Sequence, residues 1–414
     1  MPPFFVFKST YLTISKTYIE IDLGAMYRDI INGTQILFEE AFETLADRVA
    51  GAARPLRNGT EHEPVRLPRD LYAHRDVQTE WWYYTGHIET AGARQFGFEL
   101  VFFKRRTDLD KFAVVPLRLI GNPYYFAHFA LTDVDKLNFR YSHRKSSNGL
   151  LDLPASASED HYHVRLGDWS VREAHGSHIL RATLDDGTVF EASLTPSKPS
   201  ILNGEQGVSF KDRGEASRYF SYTRMAVDGV LTAGGSSEKF TGSAWMDREF
   251  GTWEPTENQK GWDWFSIQLA NGSDLMCYHI RNNRGETSPY SSGTFVDADG
   301  NYRRLAREDF LIEPLETWKS PRTEAEYPSL WKVKVPSLGL DLTVSPVMRD
   351  QELDTRGTTM IIYWEGACRV SGKAYGEDMI GKAYVELVGY DRSHESPNLA
   401  YFLLGDPLRF ISAK

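Results

Sequence analysis

Beyond the polar stretch RPLRNGTEHEPVRLPRD (residues 54–70), apolar and polar positions alternate with period two along most of the chain, the pattern of strands with one face in a core. The alternating runs are punctuated by Asn-Gly and Asp-Gly pairs in NGL (148–150), DDGT (185–188), LNGE (202–205), ANGS (270–273) and ADGN (298–301). Tight hairpin turns use such pairs because both central residues need positive φ. A largely antiparallel β body is therefore predicted. One segment differs: Ile30, Ile31, Leu37, Phe38, Phe42, Leu45 and Val49 recur with a helical period, and Gly51 is a stop signal. These positions predict a long helix within residues 17–53. It either packs its apolar face on the body or makes a peripheral membrane or partner contact.

The tryptophans reveal an internal repeat. A shift of 181 residues pairs Trp81 with Trp262, Tyr84 with Phe265, Thr85 with Ser266 and Ile88 with Leu269. A shift of 139 pairs Gly242 with Gly381, Ala244 with Ala383, Trp245 with Tyr384 and Asp247 with Glu386. Two copies of one β-unit are expected, each of a size that closes into a barrel with a pocket. The expected division is an N-terminal helical extension and linker (1–66), a first β-domain (67–255) and a second (256–414), with FGTWEPTENQKG as the connector.

Composition narrows the function. The 414 residues are 41% hydrophobic and 25% charged, with a net charge of -10, and carry no long basic run to track a phosphate backbone. Nucleic acid is not an expected partner. Aromatic residues make up 13% and gather in EWWYYTGH, PYYFAHF and WDWFSIQL, either as cross-strand pairs or as the wall around an apolar ligand. Cys277 and Cys368 are too few for a disulfide framework or a cysteine zinc site, and both are expected as buried free thiols. No nucleophile elbow, zinc-protease motif, phosphate loop or dinucleotide fingerprint occurs, so neither metal nor cofactor is expected. Without a basic leader or a run of about 18 apolar residues, a cytoplasmic location is expected.

Six blocks in order, QTEWWYYTGHIE, YFAHFALTD, SAWMDREFG, GWDWFSIQLANGSDLMCY, YPSLWKVKVPSLGLDLTVSP and YWEGACRVSG…GKAYVELVGY, resemble the carotenoid 1,2-hydratase and AttH-like family over residues 67–390. The resemblance implies a mainly β fold of two consecutive lipocalin-like antiparallel β-barrels, with the N-terminal helical extension outside it. For some members it implies acid-catalysed addition of water to a carbon–carbon double bond of an isoprenoid, and for others hydration or cyclisation of further apolar natural products. The expected partner is then an apolar small molecule, a terpenoid, carotenoid or related lipid.

Protonating an unactivated alkene requires a strong Brønsted acid in a dry pocket, with aromatic faces to stabilise the resulting cation. In SAWMDREFG, strand alternation puts Trp245, Asp247 and Glu249 on one face. The resemblance places the proposed catalytic acid at this aromatic-x-Asp position, hence at Asp247, with Trp245 where those hydratases are expected to carry Tyr. Glu249 then either holds the proton on Asp247 by charge repulsion or positions the water. The same triplet also suits a solvated barrel rim. Glu386, in the equivalent frame, is expected to be structural. The first strand carries Glu80, Trp82 and Tyr84 on one face and Trp81, Tyr83, Thr85 and His87 on the other, and one of these faces should line the pocket. Glu80 is either a site residue or the ion-pair partner of an arginine such as Arg224. His87 and His128 are expected to be satisfied core or rim histidines. Tyr219 and Tyr222, in RYFSYTRMAV, complete the candidate ligand wall. The alternative to an enzyme is a carrier that binds lipid or pigment in the same pocket without turnover.

Overall fold

The computed structural model describes residues 12–14, 17–19, 63–107, 111–112, 115–116, 122–148, 152–252 and 259–391. Two short strand pairs, Leu12–Ile14 with Thr17–Ile19 and Lys111–Phe112 with Val115–Pro116, belong to one compact unit. Both barrels form the other. The helix expected within residues 17–53 lies outside the described residues except at Thr17–Ile19, which are extended rather than helical.

In the larger unit the first sheet contains β1 (Thr79–Thr90), β2 (Gln95–Arg105), β3 (Tyr124–Asp133), β4 (Asn138–Ser146), β5 (Ala155–Ala157), β6 (His163–Leu166), β7 (Trp169–Ala174), β8 (Ser177–Thr183), β9 (Val189–Pro196), β10 (Glu215–Ala233) and β11 (Ser236–Gly251). Its order is β4-β3-β2-β1-β11-β10-β9-β8-β7-β6-β5, every neighbour antiparallel. The second sheet contains β12 (Gln259–Leu269), β13 (Asp274–Asn282), β14 (Ser292–Val296), β15 (Tyr302–Leu305), β16 (Leu311–Lys319), β17 (Glu326–Val335), β18 (Leu340–Pro346), β19 (Ile362–Ala374) and β20 (Glu377–Val388), in the order β15-β14-β13-β12-β20-β19-β18-β17-β16. Each sheet curls into a barrel around its own apolar core. The Asp-Gly and Asn-Gly pairs of DDGT, ANGS and ADGN sit in the turns between β8 and β9, β12 and β13, and β14 and β15. There Gly187, Gly272 and Gly300 take positive φ.

The internal repeat is expressed in strand register. Trp245 pairs with Thr85 and Asp247 with Tyr83 across β11 and β1, while Tyr384 pairs with Ser266 and Glu386 with Trp264 across β20 and β12. Shifts of 181 and 139 convert each pair of the first barrel into its counterpart in the second. Both barrels therefore begin and end on the same pair of adjacent strands.

Those strand pairs also face each other. Trp82 and Tyr84 of β1 point into the first barrel's core, whereas Tyr83 and Trp245 join Trp264, Tyr278 and Tyr384 in a cluster shared by both barrels. This explains why EWWYYTGH is aromatic on both faces: a strand buried on both sides loses the polar half of its alternation. The barrels approach so closely that a Cβ added at Gly97 of β2 would lie 2.4 Å from Ala367 Cβ of β19. Polar contacts cross the same surface. Arg224 pairs with Asp274 at 2.6 Å, and His87 Nε2 lies 2.9 Å from the Ala383 carbonyl.

Candidate functional site

Between the barrels lies a cavity of about 310 Å³. It is walled by the outward faces of β1, β2, β3, β10 and β11 from the first barrel and of β12, β13, β19 and β20 from the second. The repeat gives these walls an approximate twofold relation. By register, Trp81 corresponds to Trp262, Tyr83 to Trp264, Val101 to Tyr278, Tyr219 to Tyr363 and Asp247 to Glu386, and all of them line the cavity.

Asp247 is buried and its carboxyl is fully engaged. Oδ1 accepts from Ser221 Oγ at 2.5 Å and from Trp245 Nε1 at 2.6 Å, and Oδ2 is in contact with the Tyr219 hydroxyl. Tyr219 Oη in turn accepts from Trp264 Nε1 at 3.1 Å, so the hydroxyl proton is directed to the carboxyl. Burial raises the Asp247 pKa to about 7; the three hydrogen bonds oppose this, and Glu249 adds to it. Glu249 shares the cavity wall as an ion pair with Lys211 at 2.7 Å and a partner of the Ser217 hydroxyl. Burial would lower the Lys211 pKa, but the Glu249 carboxylate beside it raises it, so this cation stays charged.

Across the cavity the equivalent position is more acidic. Glu386 lines the wall and accepts from Trp262 Nε1 at 2.9 Å, and burial raises its pKa to about 7. Glu386, expected to be structural, lies on the outward face of β20, which meets the other barrel and the cavity. Opposite Glu386 in register stands Glu365, where the first barrel has Ser221 opposite Asp247. Glu365 accepts from the Tyr83 hydroxyl at 2.8 Å. Glu99 of β2 completes the group, and burial raises both Glu99 and Glu365 well above the ordinary carboxyl range, with neighbouring glutamates adding to the effect.

The predicted site residues divide by strand face. Asp247, Glu249, Trp245 and Tyr219 gather at the cavity, Trp245 as a donor to Asp247 just behind the lining. Trp82, Tyr84 and Tyr222 do not. They pack in or against the first barrel's core, where Tyr84 bonds to His178 Nδ1 at 2.8 Å and to Tyr162. The face of β1 that reaches the cavity is the other one, with Trp81 and Tyr83. Glu80 is an ion-pair residue with an arginine partner, Arg248 at 2.5 Å rather than Arg224, and with Lys104 at 2.7 Å. Arg248 follows Asp247 and so faces the barrel interior, while Arg224 reaches the second barrel's Asp274. His87 lies in the barrel interface, stacked edge-on near Tyr384 and outside the cavity lining. His128 is satisfied by the Tyr363 hydroxyl at 2.8 Å and Thr358 Oγ1 at 3.0 Å, although it also reaches the cavity. Among the cavity residues overlooked in the sequence are Glu99, Glu365, Lys211 and Tyr363. For the two glutamates the available signal was a lone acid inside an otherwise apolar strand, in FGFELVFF and in YWEGACRV.

Cys277 and Cys368 are buried free thiols. Among the described residues no group of three or more His, Cys, Asp or Glu is placed to hold a metal ion. No helix among them is long and apolar enough to cross a membrane.

Comparison with known proteins agrees with this architecture. No curated protein matches the chain. An AttH candidate from Nitrosomonas europaea is 30% identical, with a TM-score of 0.71, covering 81% of this chain and 100% of its own. Kievitone hydratase from Nectria haematococca is 16% identical, with a TM-score of 0.61 over 81% of this chain and 96% of its own, which places it in the same fold. The AttH-like family model matches residues 58–390, a span that takes in both barrels and the cavity between them, and the chain belongs to that family.

Proposed function

We propose that the protein is a cofactor-independent hydratase acting on a carbon–carbon double bond of an apolar, isoprenoid-like molecule held between the barrels, with Asp247 as general acid. The observation that carries this reading is a buried carboxyl with a pKa of about 7, bonded to Tyr219 at the wall of an aromatic cavity. When the Tyr219 hydroxyl turns from Asp247 to the alkene, it delivers its proton to one alkene carbon while its oxygen accepts the carboxyl proton of Asp247. The alkene π pair becomes the new C–H bond and leaves a cation on the other carbon. Tyr83 and Trp264 offer ring faces to that cation, and water closes on it, losing a proton that restores the acid. Glu249 supports the protonated state of Asp247 by its negative charge. That a relative in fold is a hydratase of kievitone supports hydration as the reaction class. The aromatic walls support an apolar ligand.

The test uses para-prenylphenol as probe, with conversion followed as incorporation of isotopically labelled water and binding as quenching of tryptophan fluorescence. The expected result is conversion by the parent, and loss of conversion with retained binding in Asp247→Asn. Binding by both proteins with conversion by neither would establish a carrier instead.

A further inference from the structure

Glu99 is the most anomalous side chain at the cavity. It is completely buried, yet neither carboxyl oxygen has a hydrogen-bond partner in the protein. Oε2 of Glu365 and the hydroxyl of Thr85, which faces Glu99 across β1 and β2, are likewise without partners. Buried polar groups are almost always paired, and each left unpaired destabilises the fold, more so for a carboxyl. The unpaired oxygens of Glu99 and Glu365 occur together on the walls of one cavity. Asp247, by contrast, has a donor for both oxygens. The approximate symmetry of the walls is broken at this point, because Glu365 replaces the hydroxyl donor Ser221 and adds an acceptor where the first barrel has a donor.

We propose that Glu99 and Glu365 form a ligand subsite that receives a neutral hydroxyl, so that the molecule bound between the barrels is apolar along its length and carries an alcohol or phenol. This rests on the cavity being the ligand site, as in the reading above, and names the class of ligand it takes. The unpaired oxygens ask for a hydrogen-bond donor. Burial among neighbouring glutamates favours their protonated forms, which suits a neutral partner. A hydroxyl also returns the favour, since a protonated carboxyl both accepts from it and donates to it.

The experiment measures binding to the full chain, so it does not depend on turnover. The probes are para-prenylphenol, its methyl ether and para-prenylbenzylamine, titrated at neutral pH against the parent, Glu99→Leu and Glu99→Gln. The parent should bind the phenol at least tenfold more tightly than the ether or the amine. Glu99→Leu should lose that preference while binding the ether at least as well, and should unfold at a higher temperature than the parent because an unpaired buried carboxyl has gone. Glu99→Gln, which keeps a donor and an acceptor, should retain part of the preference. Equal affinity for phenol and ether, tighter binding of the amine, or a less stable Glu99→Leu that keeps the preference would overturn the subsite alone. Failure of all three probes to bind would overturn the cavity as ligand site together with it.

Discussion

Asp247 and Glu386 occupy the same register position in the two barrels, opposite Tyr83 and Trp264 respectively, and both line one cavity. Their surroundings differ in kind: Asp247 is held by three donors including Tyr219, while Glu386 faces Glu365 across the strand pair. Only Asp247 has a hydroxyl relay toward the cavity. Asp247→Asn is expected to lower turnover by roughly two to four orders of magnitude, the range of a lost general acid. Glu386→Gln should cost about tenfold or less, and equal losses in both variants would contradict the assignment.

Tyr219→Phe tests the relay itself. The ring remains in the wall, so affinity for para-prenylphenol should change little, whereas kcat should drop by about 10²-fold or more. In the parent, kcat should decline as pH rises through about 7, where Asp247 loses its proton. A rate that rises through that range would indicate a base at this position.

Stability should also depend on these carboxyls. Free Asp and Glu release their protons near pH 4, but Asp247 and Glu386 hold theirs to about 7 in the folded chain. Between those values the folded state binds more protons than the unfolded one, so stability falls as pH rises through the window. Glu80 acts in the opposite sense. Burial would raise its pKa, but Arg248 and Lys104 override this and hold it well below the ordinary range, so its contribution is lost only as the solution becomes strongly acidic. Asp247→Asn, which cannot ionise, should flatten the decline between about pH 4 and 7 in urea titrations.

Arg248 is a structural residue despite its place beside Asp247. Its side chain is completely buried, pairs with Glu80 and lies 4.1 Å from the Trp82 ring centre. Arg248→Met leaves Glu80 buried with only Lys104 and His74 near it, and should destabilise by about 3–5 kcal/mol. Adding Glu80→Gln should recover part of the loss. Recovery by a double variant, read by chemical denaturation, distinguishes an ion-pair defect from a packing defect.

At Gly97 the barrels leave no room for a side chain. Gly97→Ala places a methyl group 2.4 Å from Ala367 Cβ and should cost on the order of 1–3 kcal/mol through overpacking. Ala367→Gly on the same chain should restore stability and probe binding together, because the cavity exists only while the barrels stay in contact.

Alternation along the chain was enough to identify the strands, and Asn-Gly and Asp-Gly pairs were enough to locate several hairpins, because both follow from local backbone geometry. The repeat was readable too, since tryptophans and tyrosines recur at spacings that the register preserves. Period two also grouped Trp245, Asp247 and Glu249 on one face. It could not say which way that face looks.

That choice belongs to tertiary structure. A strand buried on both sides, as β1 and β11 are, carries no polar face to mark the outside, so Trp82 and Tyr84 were as good candidates for the cavity as Trp81 and Tyr83. Packing of the second barrel decided it, turning the outward faces inward on each other. The same packing brings Glu99 near Glu365 from 266 positions further along the chain. Such a meeting has no trace in any local pattern, since it depends on how two finished barrels fit together.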